Sequence, residues 1–152
     1  MRSKPKGRAG SAAGDSARVA KVTRPHPGRW VARERLYALL DAARDQPLVW
    51  IAAPPGAGKT TLAAGYLETR GPTCLWYQVD SGDADIATFF HYFGLAMRLA
   101  APRKRAPLPA FAPGFPEGMD AFARRYFEEA LARVAAPALV VLDNFQDAGP
   151  DP

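Results

Sequence analysis

Apolar and polar positions along this chain alternate between helical and strand-like periods. From Val31 to Arg44, Leu36, Leu39, Leu40 and Ala43 recur at helical spacing, with Arg33, Arg35, Asp41 and Arg44 largely off that stripe. This predicts a helix that Asp45-Gln46-Pro47 ends. Leu48-Val49-Trp50-Ile51-Ala52 is a continuous apolar run, the pattern of a buried strand, and a second helix starts near Thr61 and stops at Gly71-Pro72. Cys74-Leu75-Trp76-Tyr77-Gln78-Val79 predicts a second strand. After the polar turn Asp80-Ser81-Gly82-Asp83, a helix begins with Asp83 or Asp85 as its cap. Its stripe is Ile86, Phe89, Phe90, Phe93, Met97 and Ala100, and this aromatic face is expected to be core. A loop with five prolines spans residues 101–117 and carries the basic run Arg103-Lys104-Arg105, expected to be solvated. Glu117 to Ala135 predicts a helix facing inward through Met119, Phe122, Ala123, Tyr126, Phe127, Ala130, Leu131 and Val134, and Ala138 to Asn144 predicts a third strand, buried on both faces.

Two segments carry chemistry. Ala53-Pro54-Pro55-Gly56-Ala57-Gly58-Lys59-Thr60 fits the phosphate-loop pattern, with Ala53 in place of the first glycine. It lies between a predicted strand and a predicted helix, as that pattern requires. Inward-pointing backbone N–H groups wrap a polyphosphate, and Gly56 and Gly58 allow the backbone angles this demands. The start of the next helix adds free N–H groups and a positive dipole end. Lys59 is expected to neutralise phosphate and Thr60 to offer its hydroxyl to Mg²⁺. Pro55, Ala57 and Thr61 complete the expected contact set. The second segment is Leu139-Val140-Val141-Leu142-Asp143-Asn144, four apolar residues ending in an acid. A strand of this form carries Asp143 to the phosphate loop as a second Mg²⁺-side group. His26 and His91 stand apart and have no metal-ligand spacing with Cys74 or an acid pair.

Composition changes the picture at one end. The 152 residues carry a net charge of +5, with 48% hydrophobic and 11% aromatic residues. The positive excess is concentrated in the first 29 residues, where Arg2, Lys4, Lys6, Arg8, Arg18, Lys21, Arg24 and Arg29 face only Asp15. The basic balance therefore describes a tail, expected to be disordered over residues 1–22, with the domain at 23–148 and a terminal piece at 149–152. The single cysteine allows no internal disulfide, which suits a cytoplasmic setting. No run reaches the ~18 apolar residues of a membrane span.

Val31-Ala32-Arg33-Glu34-Arg35-Leu36, the phosphate loop, Trp76-Tyr77-Gln78-Val79-Asp80-Ser81-Gly82-Asp83 and Leu139 to Gln146 together resemble the nucleotide-binding domain of MalT-like (LAL, LuxR-type) transcriptional regulators, in the STAND class of P-loop ATPases. The resemblance covers roughly residues 22–148. It implies a three-layer α/β P-loop fold with a parallel sheet and an ATP-driven switch, inactive with ADP, that hydrolyses ATP slowly. It implies Lys59 and Thr60 as phosphate and Mg²⁺ ligands, Asp143 on the Mg²⁺ side, and an adenine contact near Arg33 and Leu36. Many relatives place a second acid after the Asp143 position. Asn144 stands there, and an amide orients water without accepting its proton, so hydrolysis is expected to be slow or absent. In relatives, further parts sense an inducer, self-associate and bind DNA through a helix-turn-helix that this chain does not include.

The resemblance also implies the strand order 5-1-4-3-2. The chain supplies the strands at 48–53, 74–79 and 138–143, and the strand expected between the first and third of these is missing. The strand at 48–53 is then expected to lack edge partners, and the chain to be a truncated, marginally stable piece of a longer regulator. Two rival readings are an unrelated P-loop kinase or ATPase and a nucleic-acid-binding module working through the basic tail.

Overall fold

A computed structural model of the chain describes residues 20–26, 28, 30–103, 106–111, 118–135 and 138–149. Within them, β1 (Thr73–Gln78) and β2 (Ala138–Asp143) pair in parallel, with Thr73 opposite Ala138 and Gln78 opposite Asp143. The helices are α1 (Glu34–Ala42), α2 (Lys59–Arg70), α3 (Ile86–Ala100) and α4 (Gly118–Leu131). Single 3₁₀ turns follow each strand, at Ser81–Ala84 and Phe145–Ala148. No helix among the described residues is long and apolar enough to cross a membrane.

Side-chain alternation along β1 sorts the core into two clusters. Leu75 and Tyr77 point to α3 and α4, where Phe90, Phe93, Met97, Phe122 and Tyr126 are buried. Trp76 points the other way, to Tyr37 of α1 and Ala64, Tyr66 and Leu67 of α2. Helices thus cover both faces of β1, the outcome that a strand apolar on both sides dictates. The aromatic residues of the α3 stripe are core, as expected, with the Phe90 ring meeting those of Phe122 and Tyr126 at 4.9 and 4.7 Å, but Ile86 at the start of the stripe is exposed. Asp85 caps α3 by accepting from the Thr88 N–H, and Asp83 closes a capping box on the preceding turn.

Five expectations are corrected. Leu131, expected on the inward face of α4, is exposed at the helix's last position. Leu48–Ala53 joins no ladder among the described residues, and Leu48 and Trp50 are 74% and 65% exposed. β1 occupies one edge of β2, and no described strand lies along the other to pair with 48–53. The burial expected of this run is thus not found. β2 is covered on one face only: Leu139 and Val141 pack against the α1–α2 cluster, while Val140 and Leu142 are exposed. In α1 the buried residue is Tyr37, and Leu39 is 59% exposed. The inward face of α1 runs through Tyr37, Leu40 and Asp41, because Asp41 bonds to Tyr66 and Arg70 of α2 and brings its own face inward. Finally, Lys21 and Val22 are buried, so packed chain reaches behind the boundary drawn at residue 22. Residues 1–19 of the basic tail, Lys104 and Arg105, and Glu117 lie outside the described residues.

Candidate functional site

The helix α2 starts at the Gly-Lys-Thr loop because the backbone there turns left-handed twice. Gly56 has φ +77° and Gly58, the N-cap of α2, has φ +83°. An L-residue in these conformations is strained, which explains glycine at both positions. The Ala57 N–H bonds to Pro54 O at 3.2 Å, closing the turn, and the Leu62 N–H bonds to Gly58 O at 2.8 Å, starting the helix. The first N–H groups of α2, on Lys59, Thr60 and Thr61, thus open at the loop, where a helix end presents unsatisfied donors and partial positive charge. The Lys59 ammonium donates to Ala53 O at 2.8 Å and Pro54 O at 3.3 Å, so the lysine staples the loop's entry to its exit. Pro55 lies in the turn itself and is exposed.

The parallel pairing of β2 with β1 brings the second segment to this loop. Asp143 ends β2, and its carbonyl accepts from the Val79 N–H at 2.8 Å, fixing the strand end. Its carboxylate faces Thr60, whose hydroxyl lies 3.0 Å from both Oδ1 and Oδ2. Asn144 follows in the left-handed region at φ 57°, and its carbonyl accepts from the Asp147 N–H. That conformation turns the chain away at the strand end and places Phe145 edge-on against Trp50, with ring centroids 5.7 Å apart. Arg33, at the N-cap of α1, reaches the loop as well: a Cβ built on Gly58 would sit 3.5 Å from its guanidinium nitrogen. All the candidate residues except Leu36, which belongs to the body of α1, therefore gather at one end of the sheet.

Magnesium held beside a polyphosphate takes one or two protein oxygens and fills its other positions with phosphate and water. The Thr60 hydroxyl and the Asp143 carboxylate, already in contact, fit that donor set. No group of three or more His, Cys, Asp and Glu side chains suited to a metal ion occurs among the described residues.

Comparison with known proteins bears on the same chain. It is 39% identical over 83 residues, 53% of its length, to the HTH-type transcriptional regulator MalT of Vibrio campbellii. It is 33% identical over 118 residues, 76% of its length, to MalT of Cronobacter sakazakii, and 31% identical over 117 residues to MalT of Klebsiella pneumoniae. Over that stretch the chain is MalT-like. It spans only 9% of the Vibrio protein and 13% of the other two. No family model and no solved structure matches.

Three features were missed in the sequence because they join residues far apart. Lys21 bridges Asp80 at 2.7 Å and Asp83 at 2.9 Å, and Asp83 also accepts from the Tyr77 hydroxyl. Burial first, then the Asp83 carboxylate, holds the Tyr77 hydroxyl far above its ordinary pKa. On the other face, Tyr66 Oη donates to Asp41 at 2.9 Å and accepts from Arg44 Nε at 2.8 Å, while Arg70 binds Asp41 and Glu34. The Tyr66 hydrogen bond, then that from Arg70, holds the Asp41 carboxyl below its usual value against the opposing effect of burial. Third, Gly65 makes room for Tyr37 and Trp30: a Cβ there would lie 2.4 Å from Tyr37 Oη and 2.8 Å from Trp30 Nε1. Only the lone glycine inside a helical run hinted at this.

Proposed function

We propose that this chain is a Mg²⁺-dependent ATP- and ADP-binding switch unit of a MalT-like transcriptional regulator, built as a P-loop NTPase of the STAND type. The observation that carries the reading is the contact between Thr60 and Asp143. A hydroxyl following Gly-Lys at a helix start and an acid ending a neighbouring parallel strand meet at 3.0 Å, though 83 residues separate them. The likeness to MalT over three quarters of the chain supports the same reading.

The loop's N–H groups and Lys59 bind the phosphates, Thr60 and Asp143 hold the metal, and the metal when bound neutralises phosphate charge. Lys59 exchanges one carbonyl of its staple for a phosphate oxygen, so nucleotide binding and loop conformation are coupled. Asn144 can orient a water through its amide and cannot take a proton, which makes hydrolysis slow and the bound state long-lived. Sensing of an inducer, self-association and DNA binding belong, in this proposal, to the longer regulator. Binding of ATP and ADP to the purified chain, with and without Mg²⁺ and beside Lys59→Ala, tests it. Saturable, Mg²⁺-dependent binding lost in the variant is expected; equal binding by both proteins would overturn it.

A further inference from the structure

We propose that Arg33 is a ligand of the polyphosphate, a second side-chain cation of the loop beside Lys59, and not a contact to the base. The inference rests on the nucleotide reading above and assigns the arginine's partner within that site.

Position comes first. The guanidinium lies against Gly58, the last loop residue before α2, where a Cβ would meet its terminal nitrogen at 3.5 Å. This is the phosphate end of the loop, next to the first free N–H groups of the helix. That position is built by the scaffold. Arg33 caps α1, its carbonyl accepting from the Leu36 and Tyr37 N–H groups at 2.8 and 2.9 Å. α1 is in turn locked on α2 by Tyr37 seated over Gly65 and by the Asp41–Tyr66–Arg70 network. The same network occupies an acid adjacent in sequence: Glu34 is engaged by Arg70 at 3.3 Å.

Electrostatics comes second. Arg33 has no carboxylate partner among the described residues, and Asp143, the acid of the loop, is on Thr60. Arg33, Lys59 and the positive end of α2 therefore converge on one loop with little opposing charge. Such a gathering of one sign is unfavourable alone and favours an anion between its members. A guanidinium is charged at every working pH and presents a planar fork of donors that matches two phosphate oxygens at once. A purine offers no negative charge to answer it.

The test is titration calorimetry of the whole chain at about 0.15 M salt, where diffuse attraction is largely screened. The ligands are Mg-ADP and inorganic tripolyphosphate, which has no base. Arg33→Ala is expected to weaken both by the same factor, about tenfold. Arg33→Lys should fall between, and Arg35→Ala, on the exposed surface of α1, should change neither. If the alanine variant melts early, Arg33→Gln carries the comparison at nearly unchanged shape. Loss of ADP affinity with tripolyphosphate untouched would make Arg33 a base contact and overturn the proposal. So would unchanged affinity for both, or an equal loss in Arg35→Ala. If the unsubstituted chain binds neither ligand, or Lys59→Ala binds as well as it does, the loop reading itself fails and this inference with it.

Discussion

The Thr60 hydroxyl and the Asp143 carboxylate are joined by two 3.0 Å contacts across the gap between α2 and β2. Each residue is ordinary in its own segment; the pair exists only because β2 lies parallel to β1 in the register that sets Asp143 opposite Gln78. Asp143→Ala is predicted to weaken Mg-ATP binding roughly tenfold, the scale of a lost charged hydrogen-bonding partner. In EDTA the variant and the unsubstituted chain should bind ATP alike. A loss of equal size in EDTA would place Asp143 outside the metal's reach.

Gly65→Ala tests how α1 and α2 meet. Alanine favours a helix interior by about 1 kcal/mol over glycine. Here its methyl would overlap Tyr37 Oη and Trp30 Nε1. Overpacking of this kind costs about 1–3 kcal/mol, so a lower melting temperature is expected despite the better propensity. A rise would show that Tyr37 and Trp30 yield without cost.

Lys21 is 9% exposed and Asp83, its partner, has a side chain 4% exposed. Removing one partner leaves the other buried and uncompensated, which costs about 3–5 kcal/mol in full burial. Asp80, the other partner, is 57% exposed, so Lys21→Ala is expected to cost about 2–3 kcal/mol by chemical denaturation. A change within about 0.5 kcal/mol would mean that the segment is not held to the core.

Acid should loosen the α1–α2 contact. Tyr66 and Arg70 hold the Asp41 carboxyl below its ordinary value of 3.8. A lowered folded-state value stabilises at pH above 3.8, and that contribution fades as pH falls through the folded value. Melting temperature should therefore drop on acidification below about pH 4, and drop less steeply in Asp41→Asn. Asp85, lowered chiefly by its bond from Thr88, titrates in the same direction and leaves a residual slope.

Cys74 should be inert. Burial pushes its thiol up to about 11 from 9.0, so at pH 8 it carries roughly 100-fold less thiolate than in the unfolded chain. Reaction with a disulfide reagent should be slow when folded and rapid in denaturant. Equal rates would show the cysteine to be open.

Much of this arrangement was legible from the sequence because its signals are local. The glycines of the loop announce left-handed backbone, the spacing of Phe89, Phe90 and Phe93 announces the face of α3, and the apolar run into Asp143 announces β2. What was misread depends on partners far away in the chain. Tyr37 and not Leu39 faces inward because Gly65, on another helix, provides the notch. Lys21 is buried because Asp80 and Asp83 await it 59 and 62 residues on. Leu48–Ala53 has the composition of a central strand, but a strand needs neighbours, and its own residues cannot say whether these are present.

The most direct measurement is a backbone amide NMR titration of the isotope-labelled chain with Mg-ADP. Saturable shifts concentrated at Gly56 to Thr61 are expected, with further shifts at Asp143 and Asn144, all absent in Lys59→Ala. Saturable shifts centred elsewhere, or none on a spectrum that shows the folded chain, would contradict the claim that this loop is a nucleotide site.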